Sequence, residues 1–243
     1  MLLATSAGSI PWNLATDQWL ALFVVLVVIL VCAWIDYAEF RVPNNITIPT
    51  ILLGWLYGLV RGYLATPEGA APVTLVLWPV GFEFSLSAPW AEAILGFWYS
   101  FKLTFLGIGA PLLLLFYAIG GMGAGDVKMQ MGFGAWMATI FGYETGWTIV
   151  FFSFCVGALV GGVIALLMVW WYGSLSQNKE NLRAIFQDWV SSKSVKEVGA
   201  KAAERKKTLR LIPYGVPLCI GFISYLALDY FGIWAQLWNF ATR

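Results

Sequence analysis

Apolar residues run along this chain in long blocks, separated by short polar or glycine- and proline-bearing breaks. The first block, Gln18 to Ile35, holds 18 residues without a charge, long enough for a helix to cross a bilayer. The segment before it lacks the basic region of a signal peptide, so the block is read as a retained helix. Five further spans follow by length and hydropathy. The second runs from about Asn45 to Tyr63, starting after Pro43-Asn44-Asn45, a natural helix start. The third covers about Trp90 to Ala118 and contains Gly107, Gly109 and Pro111, which predicts a kink. The fourth, about Asp126 to Tyr143, is short for a span. The fifth runs from about Thr148 to Tyr172 and the sixth from about Leu211 to Ile233.

Two stretches break the pattern. Residues 65–89 carry Pro67, Pro72, Pro79 and Glu83 among apolar residues and close with Pro89, a composition for an interfacial loop or short hairpin. Residues 173–210 are strongly polar, with nine Lys/Arg against four Asp/Glu. Within them Leu182, Ile185, Phe186, Trp189 and Val190 fall at helical spacing, which predicts an amphipathic surface helix on lipid.

Composition fixes the class. Of 243 residues, 60% are hydrophobic and only 11% charged, against about 25% charged in soluble domains. The expected fold is therefore all-α: a polytopic integral membrane protein of about six transmembrane helices, residues 1–243 forming one membrane-embedded domain. The net charge of +1 gives no reason to expect nucleic acid as a partner. Cys32, Cys155 and Cys219 lie far apart without a CxxC pair, so no zinc site or disulfide framework is indicated. Histidine is absent, which removes histidine bases, His-assisted nucleophiles and His-ligated metals.

Charge predicts the orientation. Arg41, Lys128 and the nine basic residues of 173–210 fall in three loops on one side. The N-terminal segment, the 65–89 loop and a 144–147 turn hold none. The positive-inside rule puts the three basic loops in the cytoplasm and 65–89 outside. Arg61 and Lys102 lie inside spans, and Arg243 at the opposite end.

With that orientation two aspartates meet at one face. Asp36 closes the first span and Asp126 opens the fourth, so both lie at the cytoplasmic end although 90 residues separate them. An ionisable residue at a span is a functional candidate by default. Asp229, near the outer end of span six, reads instead as an ordinary interfacial marker. Before Asp126 stands Gly120-Gly121-Met122-Gly123-Ala124-Gly125, and glycines permit close backbone approaches and leave room for an extended peptide. Asp126 also falls at a helix start, where the macrodipole stabilises negative charge; helix packing with an N-cap aspartate explains the same run. Two carboxylates without histidine or metal support one well-defined chemistry. One takes a proton from water while its protonated partner polarises a carbonyl.

These residues also carry a family resemblance. Gly123-Ala124-Gly125-Asp126 resembles the GxGD motif of intramembrane aspartic peptidases, and the run from Gly123 to Ala138, with Lys128, is similar to the bacterial prepilin peptidase signature. Asp36, with Arg41, Val42, Pro43 and Asn44, resembles that family's first-aspartate segment. Ile212-Pro213-Tyr214-Gly215-Val216-Pro217 is similar to the proline-rich start of its last helix.

The resemblance implies an aspartic-type endopeptidase in the bacterial inner membrane, multi-pass, with its site toward the cytoplasm. Its partners would be type IV pilin-like precursors and membrane lipid, and it would need no cofactor or metal. Asp36 and Asp126 would be the catalytic pair, with Gly123, Gly125, Lys128, Arg41, Pro43 and Asn44 as motif support. Larger members carry a cytoplasmic insert with two CxxC pairs, linked to N-methylation of the pilin. That insert is missing, so no methyltransferase activity is expected, and the chain looks more like the short peptidases of tight-adherence (Flp) pilus systems. The alternative from another class is a non-catalytic membrane assembly protein or carrier whose aspartates bind an ion or partner. A carrier should show repeated half-structures, and the sequence has no internal repeat.

Overall fold

The computed structural model describes residues 10–77, 82–105, 124–172, 183 and 214–241. Among these, α1 is Thr16–Glu39, α2 Asn44–Leu64, β1 Val73–Leu77, β2 Phe82–Leu86 and α3 Ala88–Phe105. They are followed by α4 Ala124–Phe141, α5 Tyr143–Tyr172, α6 Gly215–Tyr230 and α7 Ile233–Ala241. Among the described residues a helix falls within each apolar block. Thr16–Glu39 and Tyr143–Met168 are each long and apolar enough to cross a membrane, and Gly215–Tyr230 is apolar but shorter.

Helix α4 lies at the centre, against α1, α2, α3 and α5. Every residue from Gly132 to Phe141 is buried, so this half of the helix faces protein on all sides. Its neighbours meet through small residues. A Cβ at Gly96 would lie 2.3 Å from the Gly58 carbonyl oxygen, and one at Gly221 2.3 Å from the Gly157 nitrogen, so α2–α3 and α5–α6 touch backbone to backbone. Side-chain donors add cross-links suited to an apolar medium. Ser100 donates to the Ala135 carbonyl at 2.7 Å and the Trp136 indole to the Thr50 carbonyl at 2.8 Å. Gln18 reaches the Ile140 carbonyl.

The outer faces are the reverse of a soluble protein's. Leu20, Phe23 and Trp34 on α1, Leu52 and Leu56 on α2, and Leu159, Leu166 and Trp170 on α5 are all exposed. So continuous an apolar exterior has lipid as its natural solvent. The protein is membrane-associated.

The cations inside helices have partners. Arg61 donates through Nε to Asp17 at 3.2 Å, and the Tyr57 hydroxyl donates to the same carboxylate oxygen at 2.9 Å. The Lys102 ammonium sits 4.4 Å from the centre of the Tyr143 ring, a cation–π contact.

Several boundaries differ from the sequence reading. Residues 65–89 contain a two-stranded antiparallel hairpin pairing Val73 with Leu86 and Leu77 with Phe82, the hairpin alternative of that reading. Pro89 opens α3 rather than closing a loop, because the first turn of a helix needs no N–H there. The 144–147 turn does not exist. Gly142, at φ +84°, makes the whole break, and α5 starts at Tyr143. Gly232, at φ +69°, ends α6, and the added helix α7 folds back to set Trp234 against Tyr225 and Phe152. The expected kink at 107–111 and the amphipathic helix at 182–190 fall outside the described residues, Arg183 excepted.

Asp229 is not an interfacial marker. It is 5% exposed and accepts the Ile10 backbone N–H at 2.8 Å and the Trp12 indole N–H at 3.1 Å, both on one oxygen. It fastens the segment before α1 onto α6. Asp229→Leu should cost about 1–3 kcal/mol, since two donors lose their acceptor, whereas Asp229→Asn keeps an acceptor oxygen. Thermal unfolding of the two variants in detergent should separate them by several degrees.

Candidate functional site

The end of α1 leads into the site. Its last turn closes on Phe40, a non-glycine residue at φ +53° whose N–H donates to the Asp36 carbonyl at 2.8 Å. A bulky residue in that conformation is strained, and the strain turns the chain sharply from α1 into α2. Pro43 then precedes α2 with extended backbone, and its carbonyl accepts the Thr47 N–H at 3.3 Å. Proline suits this place because its fixed φ preorganises a helix start.

The turn from Phe40 to Pro43 packs on the first turn of α4. Val42 is buried, and a Cβ at Gly125 would lie 2.8 Å from the Val42 carbonyl oxygen. Only glycine lets these two backbones approach so closely. Asp126, the next residue, is 5% exposed, and Asp36 is 3% exposed.

The start of α6 joins both. The Gly215 N–H donates to Asp36 Oδ2 at 2.7 Å in a buried contact. Its neighbour Tyr214 lies close enough to Asp126 to feel that carboxylate's charge. Two aspartates 90 residues apart are thus gathered at one end of the bundle, around the Phe40–Pro43 turn and the start of α6.

The other residues singled out from the sequence divide. Lys128 donates to Asn44 Oδ1 at 2.7 Å, tying α4 to α2 beside the aspartates. Arg41 pairs with Glu39 at 3.4 Å, both side chains well exposed, so its ion pair is local to the turn. Gly123 lies outside the described residues. No group of three or more His, Cys, Asp or Glu able to hold a metal ion occurs among the described residues.

Sequence reasoning missed the part played by Gly215. The Pro-Tyr-Gly-Val-Pro run at a helix start was the available signal, but nothing in it pointed to Asp36. It also misjudged Asp229, where an acid amid apolar residues was the warning.

Neither a curated protein nor a solved structure matches this chain. A family model described as the type IV leader peptidase family matches residues 23–166, more than half of the sequence. The matched stretch holds Asp36, the Arg41–Asn44 turn, Asp126 and Lys128, and it ends before Gly215. A sequence match of that extent, on a helical bundle with an apolar exterior, places the chain in the type IV leader peptidase family.

Proposed function

We propose that this chain is a prepilin leader peptidase of the aspartic type, cutting the basic leader from type IV pilin-like precursors at the cytoplasmic face of the bacterial inner membrane. The observation that carries this reading is the gathering of Asp36 and Asp126, both buried, at one end of the bundle. Six spans cross the bilayer. The basic loops lie inside, and the end of α6 bearing Asp229 faces outward.

In the reaction one carboxylate takes a proton from a water molecule, whose oxygen attacks the scissile carbonyl carbon. The other, protonated, donates its hydrogen to the carbonyl oxygen as that oxygen gains charge. Collapse of the tetrahedral intermediate expels the amine of the mature pilin, which receives the proton first taken from water, while the hydroxyl formed from the carbonyl oxygen returns its hydrogen to the second carboxylate. Water supplies every added atom, so no cofactor enters, no covalent enzyme adduct forms, and no methyl group is transferred. Two carboxylates held close share one proton, because both cannot ionise cheaply. That shared proton equips one as base and the other as acid.

The test uses purified full-length protein and the leader-bearing pilin-like proteins of its own genome. Sequencing of new N-termini should find cleavage just ahead of the hydrophobic helix. Intact precursors after prolonged incubation, with the aspartates unaltered, would favour a non-catalytic assembly protein or carrier.

Orientation has its own check. A cysteine replacing Ser191 should resist a membrane-impermeant thiol reagent added outside intact cells, and one replacing Glu83 should react. Reversed labelling would remove the cytoplasmic placement of the site.

A further inference from the structure

We infer that Gly215 is a positioning residue for the reaction: its backbone N–H and its missing side chain together set the place and orientation of the Asp36 carboxylate. This inference rests on the peptidase reading above and concerns a residue outside the family match.

A helix start leaves its first N–H groups without intrahelical acceptors. In α6, Tyr214 stands at the N-cap position and its side chain makes no capping hydrogen bond. The acceptor comes from another helix: Asp36 Oδ2 takes the Gly215 N–H at 2.7 Å. Asp36 therefore caps α6, and α6 in turn holds one oxygen of Asp36. A bond of this kind to a carboxylate is short and directional, so the backbone of α6 orients this oxygen of Asp36.

Space enforces the same arrangement. A Cβ on residue 215 would lie 2.9 Å from Asp36 Oδ2, 3.1 Å from its Cβ and 3.2 Å from its Cγ. Three atoms of one side chain stand in the way, so an alanine there must push the carboxylate aside. The start of α6 is thus an abutment for Asp36.

The experiment compares purified full-length wild type, Gly215→Ala and Gly161→Ala on a leader-bearing precursor. Gly161 is the control, because among the described residues a Cβ there meets only Pro217 carbons, at 3.3 and 3.5 Å, and presses on α6 without touching Asp36. Displacing Asp36 by a fraction of an ångström to an ångström should lower kcat about a hundredfold in Gly215→Ala while KM changes little. Gly161→Ala should keep near wild-type kcat. Equal losses in both variants, or normal turnover in Gly215→Ala, would overturn the positioning role. Failure of wild type to cut any precursor would instead overturn the peptidase reading beneath it.

Should Gly215→Ala not accumulate, the contact is read without altering residue 215. Labelling with carbonyl-13C tyrosine and 15N glycine selects the Tyr57-Gly58, Tyr172-Gly173 and Tyr214-Gly215 amides. In an Asp36→Ala variant the Gly215 amide proton should move upfield as its carboxylate acceptor is lost. If none of the three amides moves, the inference fails.

Discussion

Replacing either Asp36 or Asp126 by asparagine should abolish precursor cleavage. Asparagine keeps the shape of the side chain and, at position 36, still offers an oxygen to the Gly215 N–H. It cannot ionise or pass a proton. If the two acids act as one unit, the double change should be little worse than either single change, as for other catalytic groups that work together. Glutamate at either position should also fail, since one methylene moves the carboxylate by about an ångström, enough to cost about a hundredfold. Asp229→Asn, at the opposite end and still able to accept from Ile10 and Trp12, should cleave nearly as wild type. Folding of each variant in detergent must be shown first, so that instability is not read as lost chemistry. Substantial cleavage by folded Asp126→Asn protein would end the assignment of the pair.

The second large effect belongs to Gly125. A valine there places its Cβ 2.8 Å from the Val42 carbonyl oxygen and 3.0 Å from the Val42 nitrogen and Cβ, before its methyl groups are counted. Backbone cannot swing aside as the tip of a side chain can, so the Phe40–Pro43 turn and the start of α4 must separate. That separation acts directly between the helix ends bearing Asp36 and Asp126. Cleavage should fall by about a hundredfold or more, with a smaller loss for alanine. Gly132→Ala, also on α4 but meeting a Thr50 methyl at 3.3 Å, should be mild. Equal activity of Gly125→Val and wild type would show that the turn does not space the acids.

Much of this was legible in the sequence because the signals are local. An unbroken apolar block such as Gln18–Ile35 has no option in lipid except a helix, since each backbone polar group must be satisfied within its own segment. The expectation that Asp36 and Asp126 share one face followed from alternating the blocks across a bilayer, whereas the contacts of Gly125 with Val42 and of Gly215 with Asp36 are made only in the packed fold. The helix break at Gly142 was misplaced because a single residue at positive φ needs no polar loop around it, and a loop is what hydropathy detects.

What the sequence by itself determined is the helical, lipid-exposed character of the chain, its family, and the two acids on which the proposed chemistry turns. Each is written in residues close together, as an apolar run, a basic loop or a motif. The tertiary structure alone decided the tasks of Gly215 and Asp229. Gly215 presents an N–H that becomes an acceptor's partner only when α1 packs antiparallel to α6. Asp229 looks like any acid at a helix end until Ile10 and Trp12, more than 200 residues away, are folded onto it. Long-range hydrogen bonds leave no periodicity and no composition behind. They exist only once the helices are packed.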